Sequence, residues 1–173
     1  AASDVYKRQI LGSPVAGIAK DEIIDATPAI RKIQQIVTDE EFQNLPRKFK
    51  TAISGNARQD VVHEINDLAF IGVEHPELGP GFECYVGGGL STNPMLAQSL
   101  GAFVTLEQVP DVWANVVRIF RDYGYRRLRN RARLKFLVKE WGVEKFRRIL
   151  EEDYLGYALS LIHISEPTRL GMI

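Results

Sequence analysis

Two lysines sit two residues apart in Arg47-Lys48-Phe49-Lys50. On a strand, alternate side chains share a face, so Lys48 and Lys50 point the same way, about 6.5 Å apart along the strand. Two ammonium groups so placed can converge on one small anion or hand protons to it. The same pattern also suits an edge strand that lysines protect from unwanted pairing. A second cationic region runs from Arg118 to Arg148, where twelve Lys and Arg residues face Asp122, Glu140 and Glu144, a net charge of +9 within a chain whose total is balanced at 22 against 22. Arginine forks pair with carboxylate or phosphate in two-pronged fashion. Such a run implies a polyanion: a many-carboxylate cofactor, a phosphate ligand or nucleic acid. On a helix Arg126, Arg129 and Arg133 would share one face, and Arg127, Arg131 and Lys135 another. A solvated helix face is the plainer alternative. Gly87-Gly88-Gly89 is a third feature. No lysine follows it in phosphate-loop register, so the glycines point to a tight turn or close backbone approach.

Other groups argue by what they lack. His63-Glu64 begins like a zinc-protease motif, but Asp67 stands where the second histidine belongs. No metal site is therefore expected. The single cysteine, Cys84, shares a face with Phe82 and Val86 and reads as a buried structural thiol. One cysteine rules out a disulfide within the chain and any all-thiolate cluster site, and a reducing, cytoplasmic setting follows as the default. A hydrophobic share of 45% with 25% charged residues over 173 residues suits one globular domain with a real core. Neutral overall charge argues against a wholly nucleic-acid-binding protein, and no apolar run approaches the roughly 18 residues of a membrane helix.

These residues need elements to carry them. Thr27-Pro28 predicts a capped helix start, with Ile30, Ile33 and Val37 on one face. Thr38 and Glu41 have capping-box spacing. Arg47 to Ile53 reads as a strand, residues 54–60 as a polar connection, and Leu68 to Val73 as a strand buried on both faces. Phe82, Cys84 and Val86 alternate with Glu83 and Tyr85 on a further strand. Val112, Val116, Ile119 and Tyr123 predict a helix stopped at Gly124. A second helix is expected over Leu128 to Trp141, with Leu128, Ala132 and Phe136 on one face, and a third through Val143, Phe146, Leu150 and Tyr154. The fold class is α+β, a mixed sheet with flanking helices. Residues 1–9 and 160–173 resemble translated sequencing-adapter sequence and are expected to be tails around a domain at 10–159.

The segments LPRKFKTAIS (45–54), HEINDLAFIGV (63–73), VGGGLS (86–91) and RDYGYRRLRNRARLKF (121–136) resemble, together and in this order, the siroheme- and [4Fe-4S]-containing nitrite and sulfite reductases, most closely the ferredoxin-dependent assimilatory members. The resemblance covers about residues 10–157. It implies a siroheme-domain-like fold, the first of two related halves, in a parent enzyme that reduces nitrite to ammonia or sulfite to sulfide with ferredoxin as electron donor. It implies that Lys48 and Lys50 bind the anionic substrate on the distal side of the siroheme and help deliver protons. It places Arg47 and Arg133 around the cofactor and its carboxylates, Asn66 near the same pocket, and Gly87, Gly88 and Gly89 where the chain passes the macrocycle. Siroheme carries eight carboxylates and so supplies the polyanion that the arginines ask for. The family holds its cluster with four cysteines in the C-terminal half, and Cys84 does not fall in that motif. The [4Fe-4S] ligands are thus expected in the remaining half of the parent chain. This chain alone is expected to lack reductase activity and to bind siroheme weakly. The competing expectations are a polyanion- or RNA-binding module that uses an arginine-rich helical face, and a degenerate structural half-domain.

Overall fold

The computed structural model describes residues 8–58 and 60–162. The sequence strings at 1–7 and 163–173, which include most of the expected tails, lie outside the described residues. A six-stranded sheet is ordered β1 (Arg8–Gly12), β2 (Phe49–Ser54), β3 (Leu68–His75), β4 (Gly79–Val86), β5 (Gln98–Val104) and β6 (Ser160–Leu161). β1, β2 and β3 run parallel, and β3 to β6 pair antiparallel, so the sheet is mixed. The helices are α1 (Thr27–Ile36), α2 (Val109–Tyr123), α3 (Leu134–Trp141) and α4 (Val143–Ile149), the last running into a π-helical turn at Leu150–Leu155. This is the α+β architecture that the sequence predicts.

Alternation along each strand divides the sheet into two unlike faces. Phe49, Ile53, Leu68, Phe70, Phe82, Cys84, Val86, Ala102 and Val104 join one large core with Trp113, Val116, Phe120, Leu137 and Phe146 from the helices. The other face carries a small cluster, Ala52, Ala69 and Ile71 under Val61, with Tyr85 against it. Trp113 binds the sheet by a polar contact as well, its Nε1–H donating to Thr51 Oγ1 at 3.0 Å.

Several local expectations need correction. Ala26, not Thr27, occupies the cap of α1; Pro28 sits in the first turn as expected, and Asp25 Oδ1 accepts from the Thr27 N–H at 2.9 Å. Thr38 and Glu41 form no capping box, because only a single 3-10 turn, Glu40–Phe42, follows. The strand expected from Arg47 begins at Phe49. The helix expected from Leu128 begins at Leu134, preceded by an irregular segment and a 3-10 turn at Arg129–Arg131. Leu128 is exposed there, so it has no core to turn toward. β1 begins at Arg8 and β6 covers Ser160–Leu161, so both touch the edges of the expected 10–159 domain.

Candidate functional site

The site lies where the N-terminal ends of β2 and β3 meet the C-terminal end of β4. Asp67 directly precedes β3, is fully buried, and binds three separate pieces of chain. Its carboxylate accepts from Arg133 Nε at 3.2 Å (Oδ1) and Nη2 at 2.8 Å (Oδ2). Oδ2 also accepts from the Lys50 N–H at 2.9 Å, while the Asp67 N–H donates to Lys50 O at 3.0 Å. The Asp67 carbonyl accepts from the Gly87 N–H at 2.9 Å. Full burial pushes the Asp67 carboxyl above its ordinary range, while the Arg133 guanidinium and the Lys50 N–H pull the other way.

This knot brings the expected cations together. Lys48 is exposed just ahead of β2 and Lys50 is half-buried on it. The charges of Arg133, then Lys50 and Arg47, together with some loss of solvent, hold the Lys48 ammonium below the usual lysine range. Arg47 Nη1 donates to Arg129 O at 2.6 Å. That contact ties the segment ahead of β2 to the segment ahead of α3. A cleft of about 480 Å³ opens beside it, lined by Leu45, Pro46, Arg47, Lys48, Arg126, Arg129 and Ala132. Four of these seven residues are cations and none is an acid. The arrangement suits a polyanion.

Asn66 and the glycines play a visible structural part. Asn66 Nδ2 donates to Val62 O at 3.0 Å, and its carbonyl accepts from the Gly88 N–H at 3.0 Å. Gly87 has a φ of +84°, which favours glycine, and a Cβ there would stand 2.9 Å from Val138 Cβ. A Cβ on Gly88 would lie 2.3 Å from the Glu64 carbonyl oxygen, and one on Gly89 3.2 Å from Lys135 Cδ. The triplet therefore lets β4 end tightly against the Glu64–Asn66 turn and α3.

Two groups of the site escaped the sequence reading. Asp67 registered only as a missing histidine, and Lys135 only as one more charge. Lys135 is 2% exposed, and its Nζ donates to Leu90 O at 2.8 Å and Asn93 O at 2.7 Å. It holds the loop after the glycines. Desolvation, and then Arg133, lower its pKa. A lysine directly after Leu134 and two residues before Leu137, on a helix that buries both leucines, was the one available signal.

The expected helical arginine faces do not form, because residues 124–133 are not an α-helix. Several of these arginines are spent on local contacts: Arg118 forks onto Glu41, and Arg126 binds Asn44 and the Arg121 carbonyl. Within residues 124–133, then, the arginines do not share a helical face. Cys84 is fully buried in the core, and burial pushes its thiol well above the ordinary value. His75 is a buried hydrogen-bonding residue: Nδ1 accepts from the Glu77 and Leu78 N–H groups, and Nε2 meets Leu161 O at 3.0 Å. His63 packs against Tyr85 with the rings tilted at 56° and 4.8 Å between centroids. Among the described residues no group of three or more His, Cys, Asp or Glu is placed to hold a metal ion, and no helix is long and apolar enough to cross a membrane.

Comparison with known proteins places this geometry. The chain is 62% identical over 163 residues to the ferredoxin sulfite reductase of Mycobacterium tuberculosis (strain ATCC 25618 / H37Rv), covering 94% of this chain and 29% of that protein. It is 39% identical over 158 residues to the ferredoxin–nitrite reductase of Leptolyngbya laminosa, covering 88% of this chain and 31% of that one. The solved structure of the Mycobacterium tuberculosis NirA protein superposes with a TM-score of 0.86 at 58% identity, over 94% of this chain and 30% of that chain. The chain thus spans less than a third of the length of these relatives. Residues 4–158 match the family model described as the nitrite and sulphite reductase 4Fe-4S domain, and the chain belongs to that family.

Proposed function

We propose that this chain is one part of a siroheme-dependent reductase that converts nitrite to ammonia or sulfite to sulfide, and that it supplies the substrate-binding lysines and part of the cofactor's cationic cradle. The observation that carries this reading is Arg133 forked on the buried Asp67, with Lys50 joined to the same carboxylate through its N–H and Lys48 close enough to feel the charges of Arg133, Lys50 and Arg47, in a member of this family.

The residues fit siroheme at its carboxylates. A guanidinium has five N–H donors. Asp67 engages the Nε and Nη2 side of Arg133, and Nη1 has no protein partner among the described residues. Arg133 and Arg47 would hold carboxylates of the macrocycle. Siroheme, when bound, supplies the iron at which electrons reach the substrate. Lys48 and Lys50 would grip the oxyanion of nitrite or sulfite and carry protons to its oxygens from their Nζ atoms. Cations placed where negative charge gathers act strongly in a water-poor pocket. The [4Fe-4S] cluster, by contrast, does not fit this chain. The sequence holds one cysteine, and that thiol is sealed in the core. Ligands for a cluster, and a ferredoxin contact, would belong to the remaining two thirds of such an enzyme.

A chimera tests the whole reading. The matching 163 residues of the Mycobacterium tuberculosis ferredoxin sulfite reductase are replaced by those of this chain. Reduced-ferredoxin-dependent sulfite or nitrite turnover is expected in the chimera. Lys48→Gln/Lys50→Gln should remove at least nine-tenths of it without loss of siroheme absorbance. A folded, siroheme-loaded chimera whose turnover is unaffected by the double substitution overturns the lysine assignment. The 173-residue chain alone is expected to show no turnover.

A further inference from the structure

We propose that Asp67 is the positioning residue of this site, fixing the plane of the Arg133 guanidinium and the start of β2 so that four cations meet an anion in one arrangement. The inference rests on the anion-site reading above and adds to it a residue that never touches substrate or cofactor.

Geometry carries the argument. Asp67 is fully buried while the Arg133 side chain keeps 12% exposure, so the acid stands behind the guanidinium, away from the solvent through which a ligand arrives. Two parallel N–H···O contacts set the guanidinium's orientation as well as its distance. The same carboxylate accepts from the Lys50 N–H, and the Asp67 N–H donates back to Lys50 O. Lys50 therefore cannot slide along the sheet without breaking the acid's contacts. Asp67 and Asn66 also receive the Gly87 and Gly88 N–H groups through their carbonyls. Two adjacent residues thus tie down the start of β2, the glycine loop and Arg133, which lies 66 residues beyond Asp67 along the chain.

Electrostatics agrees. Arg133 acts against the charge of both Lys48 and Lys135, and Asp67 is the acid that acts to keep both protonated. A buried pair is a poor device for stability, since loss of hydration offsets much of its attraction, but a fork on a carboxylate is a good device for direction.

Sodium sulfite is titrated into the 173-residue chain and three variants: Asp67→Asn, Arg133→Gln and the double substitution. Asn keeps the size and an acceptor for the Lys50 N–H but removes the charge that the fork needs. Each single change is expected to raise the Kd about tenfold, and the double substitution is expected to stay within twofold of Arg133→Gln, because Asp67 acts through Arg133. Nitrogen-15 spectra supply a readout that needs no ligand. The Arg133 Nε–H should exchange slowly in the parent chain and rapidly in Asp67→Asn. Arg133→Lys keeps the charge, loses the fork and should bind as weakly as Arg133→Gln, which covers the case in which Asp67→Asn does not fold. Parent-like sulfite affinity in a folded Asp67→Asn chain, full additivity in the cycle, or parent-like affinity in Arg133→Lys each overturns the proposal. Failure of the unaltered chain to bind sulfite overturns the anion-site reading instead, and the Nε–H measurement still decides whether Asp67 holds Arg133.

Discussion

Arg118 and Arg133 lie in the same cationic run and make the same kind of contact, a fork on a carboxylate. Arg118 reaches Glu41 at 2.9 and 2.8 Å, with both side chains about a third exposed or more. Arg133 reaches Asp67 with the acid fully buried. Arg118, with Arg121 and Arg126, pins residues 41–44 to the end of α2 and so steadies the segment that leads into Lys48. Water competes for those pairs and salt screens them. Nothing competes for Asp67. One residue type therefore does two jobs, and burial of the partner decides which.

The sharpest way to break this contrast is to remove the cation from each pair. Arg133→Met leaves the Asp67 carboxylate buried without its partner. It should lower the unfolding free energy by about 3–5 kcal/mol, measured by urea denaturation. Arg118→Ala should cost less than about 1 kcal/mol, and that small loss should shrink further in 1 M salt. Equal costs would mean that burial does not separate the two pairs. Between these lies Gly88→Ala. Its Cβ would meet the Glu64 carbonyl oxygen at 2.3 Å, a backbone atom that cannot step aside, so a loss of about 1–3 kcal/mol is expected from the same measurement. A neutral outcome would show that the glycine loop is looser than its contacts imply.

The comparison also explains what could be read without coordinates. β3, β4 and α2 were legible because their apolar periods match the surfaces they bury. Lys50 was legible as a strand residue because a period of two needs only a local strand, although β2 starts at Phe49 and leaves Lys48 just ahead of it. β5 was missed: Gly101, at a φ of +66°, interrupts its alternation. The stretch 128–133 was misread as helix because arginine is a good helix former, and propensity is overridden where side chains find backbone carbonyls to bind. Arg126 on the Asn44 and Arg121 carbonyls and Arg47 on the Arg129 carbonyl are such contacts. Asp67 was invisible for a different reason. Its meaning depends on Arg133 and Lys50, neither of which stands at a helical or strand spacing from it.

The smallest expected effect concerns pH, and it separates the ligand site from the fold. Arg133, as the largest cause, holds the Lys48 ammonium below the usual lysine range. The folded chain therefore releases this proton before the unfolded chain does. Between the lowered value and the ordinary one near 10.4, the unfolded state binds more protons, so this group makes stability rise with pH across that window. Below the window the repulsion is present in full, and above it both states are neutral at Lys48. Anion binding runs the other way, because it needs the charge: sulfite affinity should fall as pH climbs through the same range. Lys48 is exposed, so the stability change should be slight, while the change in sulfite Kd should be several-fold. Arg133→Gln should move the affinity break upward, toward that of an ordinary lysine, even as it weakens binding at neutral pH. A break that stays in place when Arg133 loses its charge would show that Lys48 does not feel it, and the two would then not belong to one site.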